Sequence, residues 1–156
     1  SRPDGRAVAA DTGYQANLSW VTALLTEDAV LICDRASHAS LFDAALLAKK
    51  KVLRFTSKDF NTLESRLKFA RKMSATADVF VSLQGVYSMS GEISDLKTAT
   101  DLCDRYGAKL VLDDAHGTGV LGEGRGTAER LAISRSNGER GRSADGCTSL
   151  WLTANS

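Results

Sequence analysis

Residues 109–126 read KLVLDDAHGTGVLGEGRG, and the fold turns on how this stretch is understood. Leu110, Val111 and Leu112 form a short apolar run of the kind buried in a parallel sheet. Two carboxylates, Asp113 and Asp114, and the imidazole of His116 follow at once. Gly117, Gly119, Gly122, Gly124 and Gly126 then come too densely for a helix interior. In open α/β sheets, ligands sit beyond the carboxyl ends of the strands. An acid and a histidine leaving a strand there, on a chain that bends freely, have the geometry of a site.

Three readings compete for it. The plainest is a strand end with solvated acids and a flexible loop. The second is nucleotide binding, because GTGVLG (residues 117–122) formally matches G-x-G-x-x-G. A helix should open on that motif, yet Gly124 and Gly126 oppose one, and no second strand ends in an acid about 20 residues on. LVLDD also looks like the metal-holding strand of a P-loop ATPase, but the chain contains no G-x-x-x-x-G-K-[ST]. The third reading rests on the other blocks of the chain.

The 156 residues are enough to bury one core, with 43% hydrophobic and 25% charged residues and a net charge of +1. That balance gives no sign of a nucleic-acid-binding tail. No apolar run approaches the roughly 20 residues of a membrane span. Cys33, Cys103 and Cys147 are odd in number and lack metal-ligand spacing, which points to buried free thiols in a reducing compartment and to no metal site. The start, SRPDGRAVAA, has neither an initiator Met nor a signal-peptide apolar region, so the expectation is a fragment of a cytoplasmic protein, with an organelle as the second choice.

From the N-terminus, Leu18, Val21, Leu24 and Leu25 repeat at helical spacing, which puts Thr12 and Gly13 at a helix N-terminus. Residues 29–33 (AVLIC) read as a buried strand, with His38 just beyond it and a helix over residues 40–48. Residues 49–55 are a second short strand behind a basic turn. Phe60, Leu63, Leu67 and Ala70 form one helical stripe, with Asn61 and Glu64 resembling a capping box. Residues 78–83 (DVFVSL) are another apolar strand, followed by QGVYSMSGE. Residues 94–107 are the clearest helix, with Ser94 as its cap and Gly107 as its stop. Repeated strand–helix–strand units predict an α/β fold with a mostly parallel sheet and flanking helices. Residues 134–146 (SRSNGERGRSADG) are polar, glycine-rich and without periodicity, and residues 131–156 read as a divergent or irregular tail.

Four ordered blocks, DTGYQAN, DRASHAS, QGVYSMSG and VLDDAHGTGVLGEGRG, resemble the α-oxoamine synthases, across about residues 11–130. These are pyridoxal-phosphate (PLP) enzymes of aminotransferase fold type I. The resemblance implies that residues 11–130 are part of a PLP-binding large domain. It implies condensation of an amino acid with an acyl-CoA thioester and release of CO2, by an intact protein that is a homodimer. Ser37 before His38, rather than Asn, leans towards the 8-amino-7-oxononanoate synthase branch.

The resemblance also distributes roles. Gly13 and Tyr14 lie near the cofactor, His38 stacks on its ring, and Ser88 and His116 reach its phenolic edge. Asp113 pairs with its ring nitrogen, while Asp114 faces the structural side. His38, Asp113 and His116 are thus the catalytic candidates. Gln84 replaces the family's usual Glu, keeping a carbonyl acceptor but losing the charge. The lysine that binds PLP should follow the DDAHG motif, and the chain has no lysine after Lys109. Activity of residues 1–156 alone is therefore not expected. The alternative is a non-catalytic α/β relic or binding protein.

Overall fold

The computed structural model describes residues 11–130 and 149–152. Helices and strands alternate: α1 (Gly13–Leu24), β1 (Val30–Asp34), α2 (Ala39–Leu47), β2 (Lys51–Phe55), α3 (Phe60–Met73), β3 (Val79–Gln84), α4 (Leu96–Tyr106), β4 (Lys109–Asp113), α5 (Thr127–Arg130) and β5 (Ser149–Leu152). The five strands form one sheet in the order β2-β1-β3-β4-β5, and every adjacent pair is parallel. The predicted α/β class with a mostly parallel sheet is what the chain adopts.

The central strands explain why continuous apolar runs mark this sheet. All five residues of β1 and all six of β3 are buried, because helices cover both faces. On one face Ile32, Val81 and Leu112 pack with Leu63, Leu67 and Ala70 of α3 and with Leu96, Ala99 and Cys103 of α4. On the other, Leu31, Cys33, Phe80 and Val111 meet Trp20 and Val21 of α1 and Leu41, Ala44 and Ala45 of α2. Full burial of each such side chain contributes about 1.5–3 kcal/mol relative to exposure. At the edge, β2 is less covered, with only Phe55 fully buried.

Two expected caps are replaced by neighbours. Asp59, not Asn61, caps α3 by accepting from Asn61 N at 3.0 Å, and Glu64 turns instead to the Tyr106 hydroxyl at 2.7 Å. Asp95, not Ser94, caps α4 by accepting from Thr98 N at 3.0 Å. Ser94 donates its hydroxyl to the Gln84 carbonyl at 2.5 Å, tying the start of α4 to the end of β3. Gly107 stops α4 in a left-handed conformation, φ +61°, as a C-terminal glycine should.

The end of the chain differs from the irregular tail that its composition implies. Ser149–Leu152 form β5, whose Leu112↔Trp151 register extends the sheet beyond β4. Residues 131–148 and 153–156, the remainder of that stretch, lie outside the described residues.

Candidate functional site

The glycine-rich loop after β4 is built around a buried carboxylate. Asp114 is 2% exposed and accepts from Thr127 N at 2.8 Å and from Thr127 Oγ1 at 2.5 Å. Glycine is required where the backbone crowds it. A Cβ at Gly117 would lie 2.1 Å from Asp114 Oδ1, one at Gly85 2.3 Å from the same atom, and one at Gly126 2.2 Å from Oδ2. Gly126 also has φ +102°, which a side chain would strain. No helix opens on residues 117–122, so the glycines serve loop closure about Asp114 rather than a dinucleotide turn.

With Asp114 turned to structure, Asp113 is left at the mouth of the sheet. A cleft of about 250 Å³ opens there, lined by Gly13, Tyr14 and Asn17 of α1, His38 and Ser40 at the start of α2, Gln84, Asp113 and His116. Sites that enclose a ligand run to roughly 300–1,000 Å³, and this cleft, with these residues as its wall, is smaller. The wall arises from topology, because the ends of β1, β3 and β4 lie side by side with Gln84 in register with Asp113.

Burial raises the Asp113 carboxyl above its usual value, opposed by a hydrogen bond from Ala115 N and by the nearby His38 and His116 imidazoles. A cationic partner in the cleft would relieve that burial penalty. His38 is the N-cap of α2, its Nδ1 accepting from Ser40 N at 3.3 Å and lying 2.8 Å from Ser40 Oγ. Thr12 caps α1, its hydroxyl accepting from Gln15 N at 3.2 Å, so Gly13 opens that helix towards the cleft.

Asp34, the last residue of β1, holds the loops around the cleft. It is 1% exposed and accepts from Ala36 N at 3.0 Å, from Ser57 N at 3.1 Å and from the Tyr87 hydroxyl. Burial, and then the hydrogen bond to Asp34, push the Tyr87 phenol well above its usual pKa.

Five of the six expected cofactor-site residues therefore share the cleft wall: Gly13, Tyr14, His38, Asp113 and His116. Ser88 is exposed on the loop after β3 and does not line the cleft. Asn17 and Ser40 line it but carry no role in the sequence reading; their places inside the TGYQAN and SHAS blocks were the available signal.

The donor set fits PLP. A half-buried carboxylate suits a pyridinium nitrogen, imidazoles offer a stacking face and polar edges, and the N-terminus of α1 offers free N–H groups. A covalent anchor is another matter, since none of the eight lysines lines the cleft. Lys109 lies at the opposite end of β4 and bonds Asp78 at 2.8 Å.

Fold and site together define a PLP-dependent, aminotransferase-like domain. The family described as aminotransferase class I and II matches residues 4–143, and the chain belongs to it, within its α-oxoamine synthase branch. The 8-amino-7-oxononanoate synthases of Leptothrix cholodnii and Nitrosospira multiformis are 42% and 43% identical over 132 and 130 residues. Those matches cover 84% and 83% of this chain but 31% and 32% of the relatives, so the chain spans about a third of their length. Among solved structures, the serine palmitoyltransferase of Sphingomonas wittichii superposes with a TM-score of 0.76 at 36% identity, covering 83% of this chain and 32% of that one. A high-resolution structure of SPT with PLP gives 0.77 at 32% identity with the same coverage.

Proposed function

We propose that this chain forms the cofactor-facing wall of an α-oxoamine synthase of the 8-amino-7-oxononanoate synthase type. The protein would condense an amino acid with an acyl-CoA thioester and release CO2. The observation that carries the reading is the convergence of Asp113, His38 and His116, distant in sequence, on one cleft at the carboxyl ends of adjacent parallel strands.

PLP, when bound, supplies an electron sink for charge developing at the substrate's α-carbon. Asp113 would hold the ring nitrogen protonated, because a carboxylate freed from a burial penalty by a cation favours the charged pair. His38 would present its ring face to the cofactor, and His116 would offer a hydrogen bond at the cofactor's polar edge. Gly13 and Tyr14 would supply backbone at the helix N-terminus. Ser88 joins this set by resemblance, and needs its loop to move or a neighbouring element to bring the cofactor within reach. Exposed Leu46, Leu47 and Val120 are apolar surface that fits a homodimer in the intact protein. Cys33, a buried free cysteine, fits a reducing compartment such as the cytoplasm. No helix among the described residues is long and apolar enough to cross a membrane.

A second reading, a PLP-fold protein without catalysis, is favoured by one observation: no lysine of this chain lines the cleft. The two are separated with the full-length gene product. It is titrated with PLP by absorbance and then assayed with alanine, glycine and serine against several acyl-CoAs, following ketone and CO2. Turnover with any pair supports the enzyme; PLP uptake without turnover supports the second reading. Absence of PLP uptake overturns both.

A further inference from the structure

Four side chains, three of them in the lining of the cleft, form a hydrogen-bonded row with a fixed direction. Trp20 Nε1 lies 2.9 Å from Asn17 Oδ1, Asn17 Nδ2 lies 2.8 Å from Ser40 Oγ, and Ser40 Oγ lies 2.8 Å from His38 Nδ1. Trp20, Asn17 and Ser40 are 5%, 6% and 1% exposed, so water does not compete for these bonds. Each member constrains the next. An indole N–H can only donate, so it selects the oxygen of the Asn17 amide and turns the amide's NH2 towards Ser40. Ser40 Oγ accepts that hydrogen, which leaves its own hydrogen free to donate to His38 Nδ1.

A second donor reaches the same nitrogen. Ser40 N, at the first turn of α2, points to His38 Nδ1 at 3.3 Å, and a backbone N–H cannot accept. Two donors converging on Nδ1 require a lone pair there. The proton of the neutral imidazole then sits on Nε2, the nitrogen that no described group engages.

We propose that Trp20, Asn17 and Ser40 are positioning residues that hold His38 in its Nε2–H tautomer, so that the imidazole presents a hydrogen-bond donor to an anionic group in the cleft. This deepens the proposed function and rests on it for the identity of that group: the carboxylate of the amino-acid substrate is the acceptor such a donor suits. An Nδ1–H tautomer would instead present a bare Nε2 lone pair and repel a carboxylate. The direction of the row thus converts an indole buried against Phe80, with ring centroids 6.4 Å apart, into the polarity of the cleft.

The test reads the tautomer directly. The chain has two histidines, so 15N-histidine labelling of the full chain gives two imidazoles, assigned by His116→Gln. Ring 15N shifts at alkaline pH should report His38 as Nε2–H. In Asn17→Asp an acceptor-only carboxylate faces Ser40 and draws its hydrogen away from His38. The Nδ1–H fraction should rise about tenfold, the worth of one ordinary hydrogen bond. Ser40→Ala should raise it too, and Ser40→Thr, which restores a hydroxyl, should return it to the starting value. The Ser40 pair decides the matter if Asn17→Asp fails to fold. A wild-type His38 in the Nδ1–H form, or an unchanged tautomer in folded Ser40→Ala, overturns the proposal. No PLP is needed for this readout. Failure of the full-length protein to bind PLP would overturn the functional reading and leave the tautomer result standing.

Discussion

The carboxylate of Asp114 occupies the place where a side chain at residue 117 would begin, 2.1 Å from the position of a Cβ on Gly117. That oxygen is also the acceptor for the Thr127 hydroxyl, so it cannot retreat without breaking a buried hydrogen bond. Gly117→Ala should therefore destabilise the chain by about 2–4 kcal/mol. Urea denaturation checks this. The same substitution made in an Asp114→Ala, Thr127→Ala background should cost far less, since both side-chain atoms that crowd that Cβ, Asp114 Oδ1 and Thr127 Oγ1 at 2.2 Å, are gone. Additive costs would show that Gly117 is required for a different reason.

Asp114→Ala on its own leaves Thr127 N and Oγ1 without their acceptor. The loss should be about 3 kcal/mol, because two buried donors are orphaned together. Thermal unfolding monitored by circular dichroism is sufficient. A change within about 0.5 kcal/mol would mean that the loop finds another closure.

Asp113 should behave in the opposite way. Its pKa is raised by burial, so the folded chain favours the protonated acid, and its contribution to stability is present below the unfolded pKa and lost as pH rises through the folded one. Without cofactor, Asp113→Asn should thus raise stability at pH 7 by at most about 1 kcal/mol, or roughly 2–4 °C in Tm for this size. The gain should vanish below about pH 4, where an unfolded Asp is also protonated. In the full-length protein the same variant should abolish turnover. A variant that is no more stable at pH 7 and still active would remove Asp113 from its assigned role.

Tyr87 closes the loop after β3 onto Asp34. Tyr87→Phe should cost about 1–2 kcal/mol, as a carboxylate that is 1% exposed loses one of three donors. Cys33, whose thiol is held well above its usual pKa by burial, should stay unreactive to thiol reagents until the chain unfolds. Comparing labelling rates of wild type and Tyr87→Phe shows whether the loop guards the sheet. Equal rates in denaturant-free buffer mean that the core stays closed without that bond.

For residues 1–156 taken alone, weak PLP binding and no condensation are expected. Lys50, Lys68, Lys97 and Lys109 are bonded to Thr26 O, Glu64, Asp101 and Asp78, and none of the eight lysines lines the cleft. Borohydride reduction with PLP followed by peptide mapping checks this. Stoichiometric labelling of one lysine, with ketone product, would contradict it.

The strands were legible because VLIC, VFVSL and LVL are unbroken apolar runs, and burial on both sheet faces demands such runs. The helix caps were not, because Asp59 and Asp95 each sit beside another capping-competent residue, and only tertiary structure decides between them. Ser94 lost the competition to the Gln84 carbonyl, a group that sequence spacing cannot bring near it. Strand β5 is four residues long and follows a polar stretch, so no periodicity announces it. At the site, Asp113, His38 and His116 were legible as polar residues just past strand ends. The Asn17–Ser40 bond was hidden because it joins α1 to α2 through a packing contact with no sequence signal.

Both histidines of the chain lie on one wall and both are exposed. Residues 1–156 therefore carry their own covalent probe of occupancy. Diethyl pyrocarbonate, which acylates accessible imidazoles and changes their ultraviolet absorbance, can modify histidine here only within the cleft. Protection of those two rings becomes a direct measure of whether a cofactor, a substrate or a neighbouring subunit has covered the wall.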